Sequence, residues 1–241
     1  MDFVCLICLA RYPAHTSWCL ACFEAGYVVM RPTRAVAAID SIPEITDARA
    51  LSASSWGRVD VAAFPDLQLG PGALVVVHGA PGAGKSTWTA RALDTMSGAV
   101  LLSSQEEPPG PTLASRLSRA AVKRSDFVVI GRSTIDQIAQ IAQARKVVGM
   151  AIDSVQVGLF SPRDLRHLLA ILPDLQVLIG IAQENKLGTV AGKNELLHEA
   201  DVVIDVADGQ WRLEKSRYQE ASEKTFSVLN KREMDHVAVA G

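Results

Sequence analysis

A chain of 241 residues that is 49% hydrophobic and 21% charged holds enough apolar material for one medium domain plus a small appendage, which excludes wholesale disorder. Its formal net charge of -2 gives no global attraction to nucleic acid or anionic membrane, so any polyanion contact must come from a local patch or a shaped site. No stretch approaches the roughly 18 continuous apolar residues of a membrane span, and the opening Met1-Asp2-Phe3 leads into no basic and apolar signal, so the expectation is a soluble, cytoplasmic protein with no membrane partner.

The first element is a cysteine cluster. Cys5, Cys8, Cys19 and Cys22 are the only cysteines and form two Cys-x-x-Cys pairs. Such turns direct thiolates at one ion, and four sulfurs at about 2.3 Å suit tetrahedral zinc. Disulfides and redox chemistry are the competing uses, and reduced cytosolic thiols favour metal. Leu9 and Phe23 stand where a glycine commonly eases such a knuckle, and His15 is a further possible ligand, though a loop histidine is its simpler reading. Residues 1–30 are expected as a zinc ribbon, a structural clip or partner-binding knob with no catalytic part. Residues 31–60 mix Pro, Ser and Ala without a sustained period and are expected as linker.

From residue 61 to 230 the pattern alternates. Strands are predicted at "ALVVVHG", "AVLLSS", "DFVVIG", "VVGMAID" and "QVLIGIA", separated by helices at "STWTARALDTM", "TLASRLSRAAVKR", "TIDQIAQIAQAR" and "SPRDLRHLLAIL". Continuous β-branched runs between amphipathic helices indicate an α/β fold with a largely parallel sheet covered on both faces. Ser161 is the expected N-cap of the last helix, with Pro162 at its first position. "DVVIDVADGQWRLEKS" reads as two strands around Asp208-Gly209, so the sheet is expected to end in antiparallel strands. Residues 231–241 are left as a tail.

"GAPGAGKS" fits the phosphate-loop spacing Gly-x4-Gly-Lys-Ser/Thr between a strand and a helix. Gly79, Ala80, Pro81, Gly82, Ala83, Gly84, Lys85, Ser86 and Thr87 are the expected nucleotide-binding residues. The glycines let backbone N–H groups turn inward at a helix N-terminus, Lys85 adds a charge for the β- and γ-phosphates, and Ser86 offers a hydroxyl to magnesium. Asp153, ending the strand "VVGMAID", is the expected carboxylate for the magnesium water shell. Glu106 and Glu107 end another strand; one of them is suited to activate water, Glu106 being preferred, and the plain alternative is a solvated acidic pair before the next helix. His78, His167 and His198 read as ordinary core-edge or surface residues. Trp88 is expected to pack behind the phosphate loop.

The order of these parts, a four-cysteine ribbon, a linker and a phosphate-loop core, resembles bacterial RadA (Sms), a RecA-type ATPase of recombination and repair. "LLSSQEEP" is similar to that family's Ser-Gly-Glu-Glu-Ser strand end and supports Glu106. "MAIDSVQ" resembles its Ile-Asp-Ser-Ile-Gln segment, and "NKLGTVAGKNELLHEAD" resembles its Thr-Lys-x-Gly-x-Ile-Ala-Gly loop and helix. The resemblance implies that Gln183 and Lys186 sense the γ-phosphate and link it to a DNA-facing loop. "EKSRYQ" resembles the Lys-Asn-Arg-Phe-Gly motif, which implies that Lys215 and Arg217 reach ATP across a subunit interface. Read alone, those two are exposed hairpin charges. The pattern departs at Ser216, Tyr218 and Gln219, in a shortened segment after Asp153, and in lacking the family's Lon-protease-like C-terminal domain.

Two functions from different classes follow from the resemblance. The first is a magnesium-dependent ATP hydrolase acting on single-stranded or branched DNA in recombination, repair or replication, in a ring or filament of identical subunits. The second is an ATP-switched adaptor whose zinc ribbon binds a protein partner, with little direct work on DNA. A replicative-helicase-like motor fits the ribbon-then-core order poorly. ATP, magnesium and zinc are the implied ligands.

Overall fold

The computed structural model describes residues 57–184 and 193–229, and before them three backbone strands at 2–5, 11–12 and 28–31. The chain divides into two units, Met1–Ser55 and Trp56–Gly241. In the first, β1 (Asp2–Cys5) lies between β2 (Arg11–Tyr12) and β3 (Val28–Arg31) in an antiparallel sheet, with Cys5 opposite Val28. The backbone of Cys5 thus ends β1; Cys8, Cys19 and Cys22 lie outside the described residues, as do His15 and the tail.

The second unit is built on one eight-stranded sheet. Its strands are β4 (Ala73–Gly79), β5 (Val100–Ser104), β6 (Phe127–Ile130), β7 (Gly149–Asp153), β8 (Val177–Gln183), β9 (Val202–Ala207), β10 (Gln210–Ser216) and β11 (Thr225–Ser227). They lie in the order β11-β10-β9-β4-β8-β7-β5-β6. From β9 to β6 every pairing is parallel, and β10 and β11 add an antiparallel edge. The helices are α1 (Lys85–Asp94), α2 (Pro111–Arg119), α3 (Ile135–Arg145), α4 (Pro162–Ile171) and α5 (Lys193–Glu199). Among the described residues no helix is long and apolar enough to cross a membrane.

Alternation along the strands splits the core into two layers. Val75 and Val77 of β4, Val100 and Leu102 of β5, and Ile204 and Val206 of β9 pack with Trp88, Leu93 and Leu113 of α1 and α2. Their neighbours Leu74, Val76, Leu101 and Val203 face the other way, onto Ile138, Leu165, Leu168 and Leu196 of α3 to α5. A strand buried on both faces has no polar period, which is why these runs read as continuous apolar stretches. Trp88 is 1% exposed and stacks on Phe64 at 4.7 Å, while Trp211 stacks on Phe226 at 4.8 Å. Burying side chains of this size stabilises the fold by roughly 1.5–3 kcal/mol each. Val59, within the stretch expected as linker, bridges to Leu69 and is buried in this layer.

Local chemistry sets the element ends. Ser161 accepts from the Asp164 backbone N–H at 3.2 Å while the Asp164 carboxylate accepts from the Ser161 N–H at 2.8 Å, a reciprocal cap that starts α4 at Pro162. Asp208 and Gly209, with φ of 50° and 72°, make the tight turn between β9 and β10. The expected helix through "AAVKR" stops instead at Arg119. Ala121 turns to φ 58°, and the N–H groups of Ala121 and Val122 close back on the carbonyls of Ser118 and Leu117. The turn frees Arg124, whose guanidinium donates to Met96 O and Gly98 O, both at 2.5 Å, and pairs with Asp126 at 2.6 Å. Satisfying the carbonyls just past the end of α1 outweighs the five further helical residues 120–124.

Candidate functional site

Strand β4 sits where the crossovers diverge: β5 follows it to one side across β8 and β7, and β9 lies on its other side. The crevice beyond the carboxyl end of such a strand is where an open α/β sheet binds ligands. Residues 79–84 turn there into α1, and Gly84, with φ 109°, precedes the first helical residue. Gly79 has φ 143°, and a Cβ on it would stand 2.1 Å from the carbonyl oxygen of Val206 on β9. Only glycine lets β4 run beside β9 to its last residue. Gly79→Ala is therefore expected to destabilise the chain by about 1–3 kcal/mol through forced backbone displacement and to distort the loop; chemical unfolding measures it.

Lys85 is 6% exposed, and its ammonium donates to Gly79 O at 2.8 Å and Ala80 O at 2.7 Å. Burial pushes its pKa below the ordinary lysine value, against the opposing pull of the Asp153, Glu106 and Glu184 charges. Ser86 donates to Asp153 Oδ2 at 2.8 Å. Asp153 lies two strands from the phosphate loop, with β8 between, and α1 brings Ser86 across to it. Burial raises the Asp153 pKa; the Ser86 hydrogen bond works against that, and the Glu106 charge adds to it. A buried carboxylate beside a hydroxyl is a hard-oxygen pair of the kind that holds magnesium together with phosphate oxygens and water. The residues present fit that ion.

Strand β5 delivers the acids. The N–H of Gln105 donates to Asp153 O at 2.6 Å, which ties the exit of β5 to the end of β7 and turns Glu106 into the cleft. Gln183, at the end of β8, donates through Nε2 to Glu106 Oε1. Glu107 turns aside and faces Arg116 at 3.5 Å. The resulting cleft, about 530 Å³, is lined by Pro81, Gly82, Gly84, Lys85, Ser86, Thr87, Glu106, Arg116, Arg119, Asp153, Gln183 and Leu229.

Comparison with protein-family models and with curated proteins finds no match for this chain. The site is read from its own chemistry.

Of the residues singled out in the sequence, Lys85, Ser86, Thr87, Glu106, Asp153 and Gln183 share this one cleft. Ala83 is turned into the core, and Ala80 contributes a carbonyl to Lys85. Lys186 lies outside the described residues. Lys215 and Arg217 do not line the cleft. Lys215 donates to Leu197 O at 2.9 Å and His198 O at 2.7 Å at the end of α5, and Arg217 pairs with Asp201 at 3.2 Å. Within one chain both cations have structural partners. Among the described residues no group of three or more His, Cys, Asp or Glu side chains is placed to hold a metal.

Three residues take positions here that the sequence did not assign to a site. Arg116, on α2, points a guanidinium at Ser86 Oγ, 3.5 Å away, and at Asp153 Oδ2, 3.6 Å away, and Arg119 lines the same cleft. Arg116 and Arg119 repeat at helical spacing in "SRLSR", a pattern that reads equally as a solvated face. His78, which reads from the sequence as an ordinary core-edge or surface residue, is 3% exposed and lies between two carboxylates. A histidine ending a fully apolar run was its only signal.

Proposed function

We propose that this chain is a magnesium-dependent phosphate-loop ATPase with a RecA-type core, similar to RadA, that acts on single-stranded or branched DNA as a ring or filament. The observation that carries the reading is the meeting in one cleft of Lys85, the Ser86–Asp153 pair and the Glu106–Gln183 pair. Loop N–H groups at the start of α1 bind the phosphates, and Lys85 leaves the carbonyls of Gly79 and Ala80 for phosphate oxygens. Ser86 and Asp153 would hold magnesium, which would neutralise charge on those oxygens. Glu106 orients water for in-line attack and accepts its proton. Gln183 hydrogen-bonds Glu106 and is the group beside it suited to meet the terminal phosphate. Arg116 keeps a positive charge beside Glu107 and Asp153 and would face the phosphates of a bound nucleotide.

A second reading has a specific observation in its favour. In the loop after Asp153, residues 154–160 carry no lysine or arginine, Leu159 is 89% exposed and Val157 is 38% exposed. An apolar loop without cations suits a protein partner better than a phosphate backbone. That supports the adaptor, an ATP-switched assembly protein docking a partner through this loop or through the cysteine ribbon.

ATP hydrolysis by the zinc-loaded full chain, titrated with single-stranded, duplex and branched DNA at low salt, tests both. The first reading expects magnesium-dependent hydrolysis that rises with single-stranded or branched DNA and weakens as salt increases. Hydrolysis that is flat across all three DNAs supports the adaptor. No hydrolysis with or without magnesium overturns the ATPase reading.

A further inference from the structure

His78 occupies the position immediately before the phosphate loop. Along β4, Leu74 and Val76 face the α3–α5 layer, so alternation puts His78 on that side of the sheet. On β8, Leu178 and Ala182 face the same layer. Gln183 and Glu184 therefore point to opposite faces, Gln183 into the nucleotide cleft and Glu184 onto His78. The His78 ring lies with Nδ1 2.8 Å from Glu184 Oε1 and Nε2 2.6 Å from Glu214 Oε2. Each ring nitrogen thus faces a carboxylate oxygen, and a nitrogen that carries a proton donates to it. Asp205, beside His78 in the sheet, is engaged by Arg212 at 2.8 Å.

Both carboxylates are placed by the backbone. The Glu184 N–H donates to Gly79 O at 3.3 Å, the carbonyl that also receives Lys85. Glu184 is thus tied to the phosphate-loop strand through its main chain and its side chain. Glu214 is the extra residue of a bulge: Leu213 pairs with Ile204 and Lys215 with Val203, leaving Glu214 without a partner residue. Bulges of this kind re-aim a side chain next to functional sites.

We infer that His78 is a positioning residue that fixes the end of β8 against the phosphate-loop strand through Glu184, and so holds Gln183 in register with Glu106. The inference rests on the ATPase reading for its kinetic consequence. The geometry makes the Glu184 contact the one that matters for hydrolysis. The Glu214 contact secures the hairpin.

Two conservative variants separate the contacts. In His78→Asn the amide nitrogen is as many bonds from Cβ as Nδ1, so it keeps the donor to Glu184. In His78→Gln it is as many bonds away as Nε2, so it keeps the donor to Glu214 instead. His78→Gln is expected to lower kcat for ATP about 10- to 100-fold, with affinity for a fluorescent ATP analogue within about twofold of wild type, because misplacing a catalytic group impairs the chemical step more than binding. His78→Asn is expected to stay within about threefold of wild type. Hydrogen exchange at the Gln183 and Glu184 amides is read on the same full-length proteins, and is expected to be faster in the Gln variant than in the Asn variant. Equal kcat losses in the two variants, or equal parallel losses of kcat and affinity, would overturn the inference. If wild type does not hydrolyse ATP, the functional reading fails by itself. The exchange comparison then decides the positioning role, and equal exchange in both variants overturns it.

Discussion

Replacing Lys85 by Ala is expected to slow ATP hydrolysis by about 100- to 1,000-fold or more while leaving the chain folded, the loss typical of removing one preorganised charge at a transferring phosphoryl group. The buried ammonium is the central cation of the loop, held by Gly79 O and Ala80 O. Removing it orphans neither acceptor, since Gly79 O keeps the N–H of Glu184 at 3.3 Å and Ala80 O keeps the N–H of Ala83 at 3.2 Å. The stability change should therefore stay within about 1 kcal/mol. Phosphate release in excess magnesium, measured beside urea unfolding, checks both halves. Hydrolysis at the wild-type rate in the variant would remove the phosphate loop from the mechanism.

The loop after β4 was legible in the sequence because its geometry constrains residue type position by position. Gly79 must clear the Val206 carbonyl and Gly84 must take a positive φ, and the proposed nucleotide site asks for the charge of Lys85 and the hydroxyl of Ser86. The sheet was legible for a related reason: strands buried on both faces leave continuous apolar runs, and the turn at Asp208-Gly209 announces itself by composition. What stayed hidden depends on distant partners. His78 is visible as a polar residue closing "ALVVVHG", yet its carboxylates lie 106 and 136 positions further along. The bulge at Glu214 has no distinct mark in "QWRLEKS", where the polar/apolar alternation ends at Leu213 and three polar residues follow. The end of α2 at Arg119 is decided by what Arg124 does for the carbonyls at the end of α1, which overrides the helix preference of "AAVKR". The three residues of β11 are too few to carry a period.

Asp201→Ala is expected to destabilise the chain by roughly 1–3 kcal/mol, the usual cost of leaving a buried N–H without its acceptor, with a part-exposed ion pair adding little. Asp201 is 5% exposed and joins three parts of the fold. Its carboxylate accepts from the Leu74 N–H at 2.8 Å on β4, from Arg166 on α4 at 2.9 and 3.0 Å, and pairs with Arg217 beyond β10 at 3.2 Å. Without it, the Leu74 N–H loses its acceptor in the interior, and the part-exposed Arg166 guanidinium keeps only Glu199 O. Burial alone would raise the Asp201 pKa, but the Arg166 hydrogen bonds, the Leu74 N–H and the charges of Arg166 and Arg217 together hold it below the ordinary value. A carboxylate with a depressed folded pKa contributes stability that is present above the unfolded value, about 3.9, and is lost as pH falls through the folded value. Wild type should therefore lose part of its stability to acid below about pH 4, and the variant should lack that part of the slope. Urea unfolding followed by tryptophan fluorescence, at neutral pH and at successive acid pH values, measures both effects through Trp88 and Trp211, which lie buried in the core. A neutral-pH loss below about 1 kcal/mol would mean that Arg166 and Leu74 find other acceptors, and would release Arg217 from the structural role its ion pair gives it.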